Sequence, residues 1–473
     1  MDKKPLLLLP LLFLVCALNA QTFTLKKGIV IDSLPVHDSI PETFSLYLPT
    51  DFVTDRTWPV LFAFDLKGTS KKTISMFANV AEKEGYILAT SNHLSDSISL
   101  SNNMLRTSRM MSAVKRLLPM DNDRVYTAGF SSGGRFANLV PLFIKGITGA
   151  ISCGASLSNI ELLNTKIPFH YIAIVGREDF TYTDALKDKK VLNKLKFENQ
   201  LLLFDEGKKW PDMQYLQQAL QLFKLSKMAK GGIAKDSNYI EKVFRSDVAR
   251  VRQLVSENKP LMAERAMSDM IAAYRLHKPV DSLKEAKKEL RKQKAYKSAK
   301  RAENSAFFQE SLLREDYQYY LEEDLLTYNF NNLGWWNYQM GELQKFINGD
   351  DNTFKQRMGK RVKDYLNALI EDNIDIIKAE KTVDEDALVF LSMLKTITEP
   401  TNYNHYLQVI SISAKNEDFG TALFYLEELL KKGFKDKERL YNVEHTALFR
   451  ISPEFNELVS KYLKDSRYDV IED

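Results

Sequence analysis

Between residues 125 and 140 the chain reads VYTAGFSSGGRFANLV, in which Gly129-Phe130-Ser131-Ser132-Gly133 sets a serine midway between two glycines. A serine hydroxyl serves acyl chemistry when the backbone turns so tightly around it that only glycine fits on either side, which lifts Oγ toward substrate. The motif ends an apolar β-type run and opens an amphipathic helical pattern, the context such a turn needs. Ser131 is therefore the candidate nucleophile, and it needs a base for its proton and N–H donors for the oxyanion. Among six histidines, His93 follows the strand-like YILATSN and shares an edge with Ser131, whereas His170 begins a strand and falls at the opposite edge. His37 precedes the main sheet, and His277, His405 and His445 lie in the second half of the chain.

These residues have to be carried by strands and helices. From about Phe23 to Met228 short apolar runs (PVLFAFDL, YILATSN, RVYTAGF, GAISCGAS, FHYIAIVG, NQLLLFDEG) alternate with amphipathic segments. That alternation predicts βαβ units and a mostly parallel sheet with helices on both faces, whose functional residues gather at the carboxyl ends of the strands. After AKGGIAKDS, residues 229–237, strand-like runs nearly vanish and helical patterns follow to the end. The expected organisation is a signal peptide over 1–20, an α/β domain over 21–228 and an all-α, helical-repeat-like domain over 229–473.

The amino-terminal MDKKPLLLLPLLFLVCALNAQ joins a basic start, an apolar run and a small-residue end at Ala20, the pattern of a cleaved secretory signal. Its apolar run is shorter than the roughly 20 residues a spanning helix needs, and no such run follows, so the expectation is an exported, periplasmic or secreted protein without a transmembrane span. Removal of Cys16 leaves only Cys153, in the apolar GAISCGAS, which excludes an internal disulfide and reads as a small buried hydrophobe. With 66 basic against 62 acidic residues the charge is too even to make nucleic acid the partner of the whole protein. The lysine-rich LKEAKKELRKQKAYKSAKRAEN reads as a solvated helix face. No metal-ligand or cofactor motif is found.

On Gly129 to Gly134, on Gly176-Arg177-Glu178-Asp179 after FHYIAIVG, and on Trp210-Pro211, the chain resembles the α/β-hydrolase superfamily, and within it the secreted esterases grouped with polyhydroxybutyrate depolymerases and feruloyl esterases. The resemblance covers about residues 40 to 225. It implies that Ser131 attacks an acyl carbon and that Asp179 orients a base. It also implies that the N–H of Ser132, with one from Leu66-Lys67-Gly68, holds the oxyanion. Where the family carries glycine, histidine, one variable residue and Trp-Pro, this chain has Gly207-Lys208-Lys209-Trp210-Pro211. A lysine of ordinary pKa, about 10.4, is charged at neutral pH and has no lone pair for the serine proton.

The expectation is therefore an esterase-like domain with an impaired triad, able to hold an acyl-ester or peptide ligand. The alternative is an active carboxylesterase or peptidase using Lys208 or His93 as an unusual base. In the helical half, EDFGTALFYLEELLKKGF resembles the second helix of a tetratricopeptide repeat, with Phe419, Ala422, Leu426 and Leu429 near its apolar positions, which implies contact with a protein or peptide partner.

Overall fold

The computed structural model describes residues 25–349, 353–464 and 466–468; the expected signal segment and Cys16 lie outside them. The first part contains β1 (Val30–His37), β2 (Ile40–Tyr47), β3 (Trp58–Phe64), α1 (Ser70–Glu84), β4 (Ile87–Ser91), α2 (Leu100–Leu117), β5 (Met120–Phe130), α3 (Ser132–Phe143) and β6 (Gly149–Cys153). Then come β7 (His170–Gly176), α4 (Tyr182–Lys194), β8 (Asn199–Phe204) and α5 (Met213–Ala229). The strands form one sheet in the order β1-β2-β4-β3-β5-β6-β7-β8. β2 pairs antiparallel with β1 and β4, while β3 runs parallel to β4 and β5. The fully apolar β3 and the buried β4 are what a strand covered on both faces requires.

This is the mostly parallel α/β architecture expected, followed by an all-helical region. The chain order reverses at β3, which has β4 on one side and β5 on the other, with Phe64 in register with Gly129. At such a switch point the loops leaving two adjacent strands diverge and open a crevice, and here they are the Leu66 loop and the Ser131 turn.

The helices that follow are α6 (Ser237–Ser256), α7 (Pro260–Tyr274), α8 (Asp281–Lys292), α9 (Lys294–Thr327), α10 (Leu333–Asn348), α11 (Thr353–Ala379), α12 (Glu385–Thr398), α13 (Tyr403–Lys415) and α14 (Phe419–Lys431), with three shorter ones beyond. Several starts are written in the sequence, since Asp236, Asp384, Asn402 and Asp418 each accept a first-turn N–H. None among the described residues is long and apolar enough to cross a membrane.

The break at 229–237 does fall between α5 and α6, but the compact units divide differently. One comprises the chain up to Ser152 with Ser158–Tyr171 and Asp212–Lys227; the other comprises Cys153–Leu157, Ile172–Pro211 and everything from Met228. Residues 172–211 of the expected α/β domain thus group with the helices, while Asp212–Lys227 stays with the first unit. The physical reason is a set of buried polar ties. Arg361 of α11 donates to Glu310 of α9 and to the Arg177 carbonyl at 2.8 Å, Lys189 of α4 pairs with Asp269, and Arg265 donates to both Tyr182 and Glu303. A 3.6-residue pattern carries no trace of such long-range pairs.

The basic stretch over α8 and the start of α9 is laced with ion pairs: Lys284 with Asp281, Lys292 with Glu289, Arg291 with Glu264, and Lys300 with Glu303. In the α13 and α14 pair, Ala422, Leu426 and Leu429 are fully buried in one apolar cluster, with Phe419 packed against it. Cys153 is buried at the end of β6, and burial pushes its thiol pKa far up, so it stays protonated.

Candidate functional site

Ser131 stands between the last residue of β5 and the first of α3 with φ 54° and ψ −121°. A non-glycine residue held there costs on the order of 1–3 kcal/mol and persists only where its surroundings enforce it. Two glycines do so. A Cβ on Gly129 would lie 2.2 Å from the Gly133 carbonyl oxygen, and one on Gly133 would lie 2.3 Å from the Phe64 carbonyl oxygen. The strand, the turn and the helix thus touch through bare backbone, as the glycine spacing predicts. The buried Thr127 hydroxyl fastens them by donating to the Ala137 carbonyl at 2.7 Å.

Around this elbow the loops after β3 and β4 are joined to it. The Ser132 hydroxyl donates to Asp96 at 3.1 Å, and the Asp96 N–H donates to the Leu66 carbonyl at 3.0 Å. Lys67 is removed from the set of oxyanion donors, because its N–H is spent on the Asp65 carboxylate at 3.0 Å. Gly68, at φ 76°, turns the loop toward α1, whose start Asp65 also holds through the Thr69 hydroxyl at 2.6 Å. Leu66 and Ser132 keep N–H groups without an acceptor among the described residues. His93 reaches this edge as expected. Its Nε2 bonds the Thr43 hydroxyl at 3.2 Å, its N–H donates to Ser91, and its carbonyl accepts from Arg106. Within this unit the Ser131 hydroxyl has no hydrogen bond to His93.

Asp179 and Lys208 belong to the other compact unit, where their loops are stitched together by backbone. The Arg177 N–H donates to the Phe204 carbonyl at 2.8 Å and the Glu178 N–H to the Glu206 carbonyl at 3.0 Å. A Cβ on Gly176 would come within 2.1 Å of that same Glu206 oxygen. Asp179 is 1% exposed and accepts from the N–H and the hydroxyl of Thr181, each at 2.9 Å. It therefore also caps its own turn. Burial raises its carboxyl above the usual range, against the lowering pull of Thr181 and of the charges of Lys208 and Arg314. The Lys208 ammonium sits 4.5 Å over the Phe180 ring, an arrangement that favours the charged amine.

Sequence reading missed two neighbours of this pair, since each comes from the helical region more than a hundred residues on. Arg314 of α9 donates to the Phe180 carbonyl at 2.6 Å and pairs with Glu310 at 2.6 Å. Asp364 of α11 lies near enough for its carboxyl to feel the charges of Asp179 and Lys208. Neither sits in a motif.

No family model and no curated relative matches the sequence. Among solved structures, the chain is similar to a fluorophosphonate-binding serine hydrolase of Staphylococcus aureus at 14% identity and TM-score 0.35, over 42% of this chain and 99% of that one. It is similar to an esterase of Pyrobaculum calidifontis at 10% identity and TM-score 0.36, over 42% of this chain and 86% of the other. A dipeptidyl aminopeptidase IV candidate of Bacteroides ovatus aligns at 14% identity and TM-score 0.34, over 41% of this chain and only 35% of its own length. These likenesses carry no residue's role to this chain.

Proposed function

We propose that this chain is an exported protein with an esterase-like hydrolase domain of impaired catalytic power, whose helical region contacts a protein or peptide partner. The observation that carries the reading is Lys208, an ammonium over the Phe180 ring with its charge acting on Asp179, at the position where the resembled esterases carry their base. A protonated amine cannot accept the Ser131 proton, and loss of the base costs on the order of a hundred- to ten-thousand-fold in rate. Ser131, Leu66 and Ser132 would then serve to hold an acyl-ester or peptide ligand rather than to turn it over. The large apolar side chains left exposed around α14, Phe424 at 60% and Leu448 at 65%, support the contact role of the helical region.

One observation favours the second reading, an active serine hydrolase using Lys208 or His93. The strain at Ser131 is maintained in full, and such strain is typically kept where it serves function. Labelling by a serine-reactive fluorophosphonate, with turnover of short acyl esters, separates the two. Under the leading reading the wild type labels weakly and Lys208→His gains labelling and turnover. Brisk wild-type turnover that Ser131→Ala abolishes would overturn it, and the base would then be identified by whichever of Lys208→Ala and His93→Ala is inactive. Recovery of the protein with an amino terminus near Gln21 tests export; an intact Met1 speaks against it.

A further inference from the structure

The second compact unit holds a cavity of about 610 Å³ bounded by the loop carrying Arg177, the start of α7, one side of α9 and the first turns of α11. Its charged lining is three cations, Arg177, Lys259 and Arg357, which converge on one carboxylate. Asp205 accepts from Arg177 at 2.8 Å, from Lys259 at 2.9 Å and from Arg357 at 3.1 Å. Among the described residues only Lys259 pairs with a second carboxylate, Glu257 at 2.7 Å. Glu178, whose charge also reaches Arg357, is engaged by Lys360 at 2.9 Å. Positive charge therefore exceeds negative at the cavity wall.

Two of the three cations, Arg177 and Arg357, are set deep in the wall. The Nε of Arg177 and that of Arg357 are buried without a hydrogen-bond partner among the described residues. Arg177 is only 5% exposed, and one of its Nη1 bonds goes to the thioether sulfur of Met262 at 3.4 Å, a weak acceptor. Helix α7 adds to this. Its N-cap is Lys259, which has no acceptor atom in its side chain, and no acidic residue occupies its first turn. The N–H groups of Leu261 and Met262, which line the cavity, thus present the positive end of a 15-residue helix. Burial, and next the charge of Arg177, lower the pKa of Arg357, a repulsion that an anion between the two would relieve.

The remaining wall mixes apolar side chains, Leu261, Ala299 and Phe354, with the polar Asn258, Ser298 and Thr353, and the Arg177 guanidinium lies 5.9 Å from the Phe354 ring. We propose that this cavity binds a small organic anion, a carboxylate or phosphate group on an apolar body, with the charged end between Arg177, Arg357 and the start of α7. Two guanidinium groups that can each present parallel N–H bonds suit both headgroups, and the aromatic and aliphatic wall suits the body. The inference is independent of whether Ser131 turns over any substrate, because none of its residues takes part in that chemistry.

Calorimetric titration of the full chain with benzoate, phenyl phosphate, inorganic phosphate and neutral benzamide tests it. Benzoate or phenyl phosphate should bind with a dissociation constant below about 1 mM, benzamide should not bind, and whichever anion binds more tightly identifies the headgroup. Arg357→Gln should weaken binding by about tenfold or more. Ala299→Phe, which leaves every charge in place and fills the cavity, should weaken it similarly while retaining the wild-type circular dichroism spectrum. Inorganic phosphate binding as tightly as the organic anions would overturn the apolar-body part of the proposal. Absence of saturable binding by any anion, or binding unchanged in a folded Ala299→Phe variant, would overturn the site.

Discussion

Two glycine-bearing turns that follow strands in this protein are built on different physics. The Gly129–Gly133 elbow is fixed by steric exclusion: backbone meets backbone, and one serine is held at positive φ. The turn after β8, from Gly207 to Pro211, is organised by charge. Gly207 has open space where a Cβ would be, Asp205 just before it gathers three cations, Lys209 pairs with Glu206, and Lys208 lies over Phe180. A sterically closed turn keeps its form whatever chemistry it serves, whereas a turn held by charges can exchange a histidine for a lysine and remain satisfied. The contrast sets a sterically closed elbow at Ser131 against a turn at Lys208 where charges are gathered.

That comparison can be broken most sharply at the glycines. Gly129→Ala should destabilise by about 4 kcal/mol or more in chemical denaturation, because a new Cβ meets a carbonyl oxygen that cannot move. Gly207→Ala should change stability by less than about 0.5 kcal/mol, since nothing lies within 4 Å of its Cβ position. A large loss at Gly207 would show that the two turns are sterically alike.

Next in size is the charge network beneath the second turn. Glu310 is 1% exposed and takes both Arg361 and Arg314. Glu310→Gln leaves two guanidinium groups short of a counter-charge and should cost about 3 kcal/mol in urea titration. A cost near zero would mean that the arginines are compensated elsewhere.

A smaller effect, dependent on pH, is expected at Asp188 of α4, which accepts the Leu157 N–H at 2.8 Å. Burial, with the charge of Asp184 adding to it, pushes its carboxyl up to about 6 from an ordinary 3.8. The folded form therefore holds this proton more tightly than the unfolded chain. Its contribution is most favourable below the unfolded value and is lost as pH rises toward 6. Asp188→Asn keeps an acceptor for Leu157 and should stabilise by about 2 kcal/mol near pH 8, with the gain fading near pH 4. A gain that does not depend on pH would exclude the carboxyl as its source.

The smallest effect should come from Lys208→Met, which removes the cation from Phe180 and should cost less than about 1 kcal/mol. A much larger loss would make Lys208 a structural residue, and Lys208→His would then be read against a weakened fold.

Much of the first unit was legible in the sequence because its signals are local. The apolar runs became strands, the glycine spacing became the elbow, and His170 began its strand while His93 followed one. The Leu66–Gly68 loop was legible only in part, since the hydrogen bond that takes the Lys67 N–H depends on how Asp65 folds back over its own turn. In the second unit the resemblance placed Asp179 and Lys208, and the backbone bonds between their loops bring them together. Arg314, Asp364 and the Asp205 cluster were not legible, because their partners lie far along the chain and none belongs to a periodic pattern or motif.

What the sequence determined by itself is the class of each element and the place of the tight turn, because hydrophobic period, caps and glycine sterics act within a few residues. It also determined that a lysine, Lys208, precedes Trp210-Pro211 after β8. Only the tertiary structure decided that the loops of Asp179 and Lys208 belong with the helical region, and that three cations from separate segments share one carboxylate beside an uncapped helix start. Those outcomes follow from charges desolvated together by folding, and the energy of a buried charge depends on neighbours that the order of residues does not name.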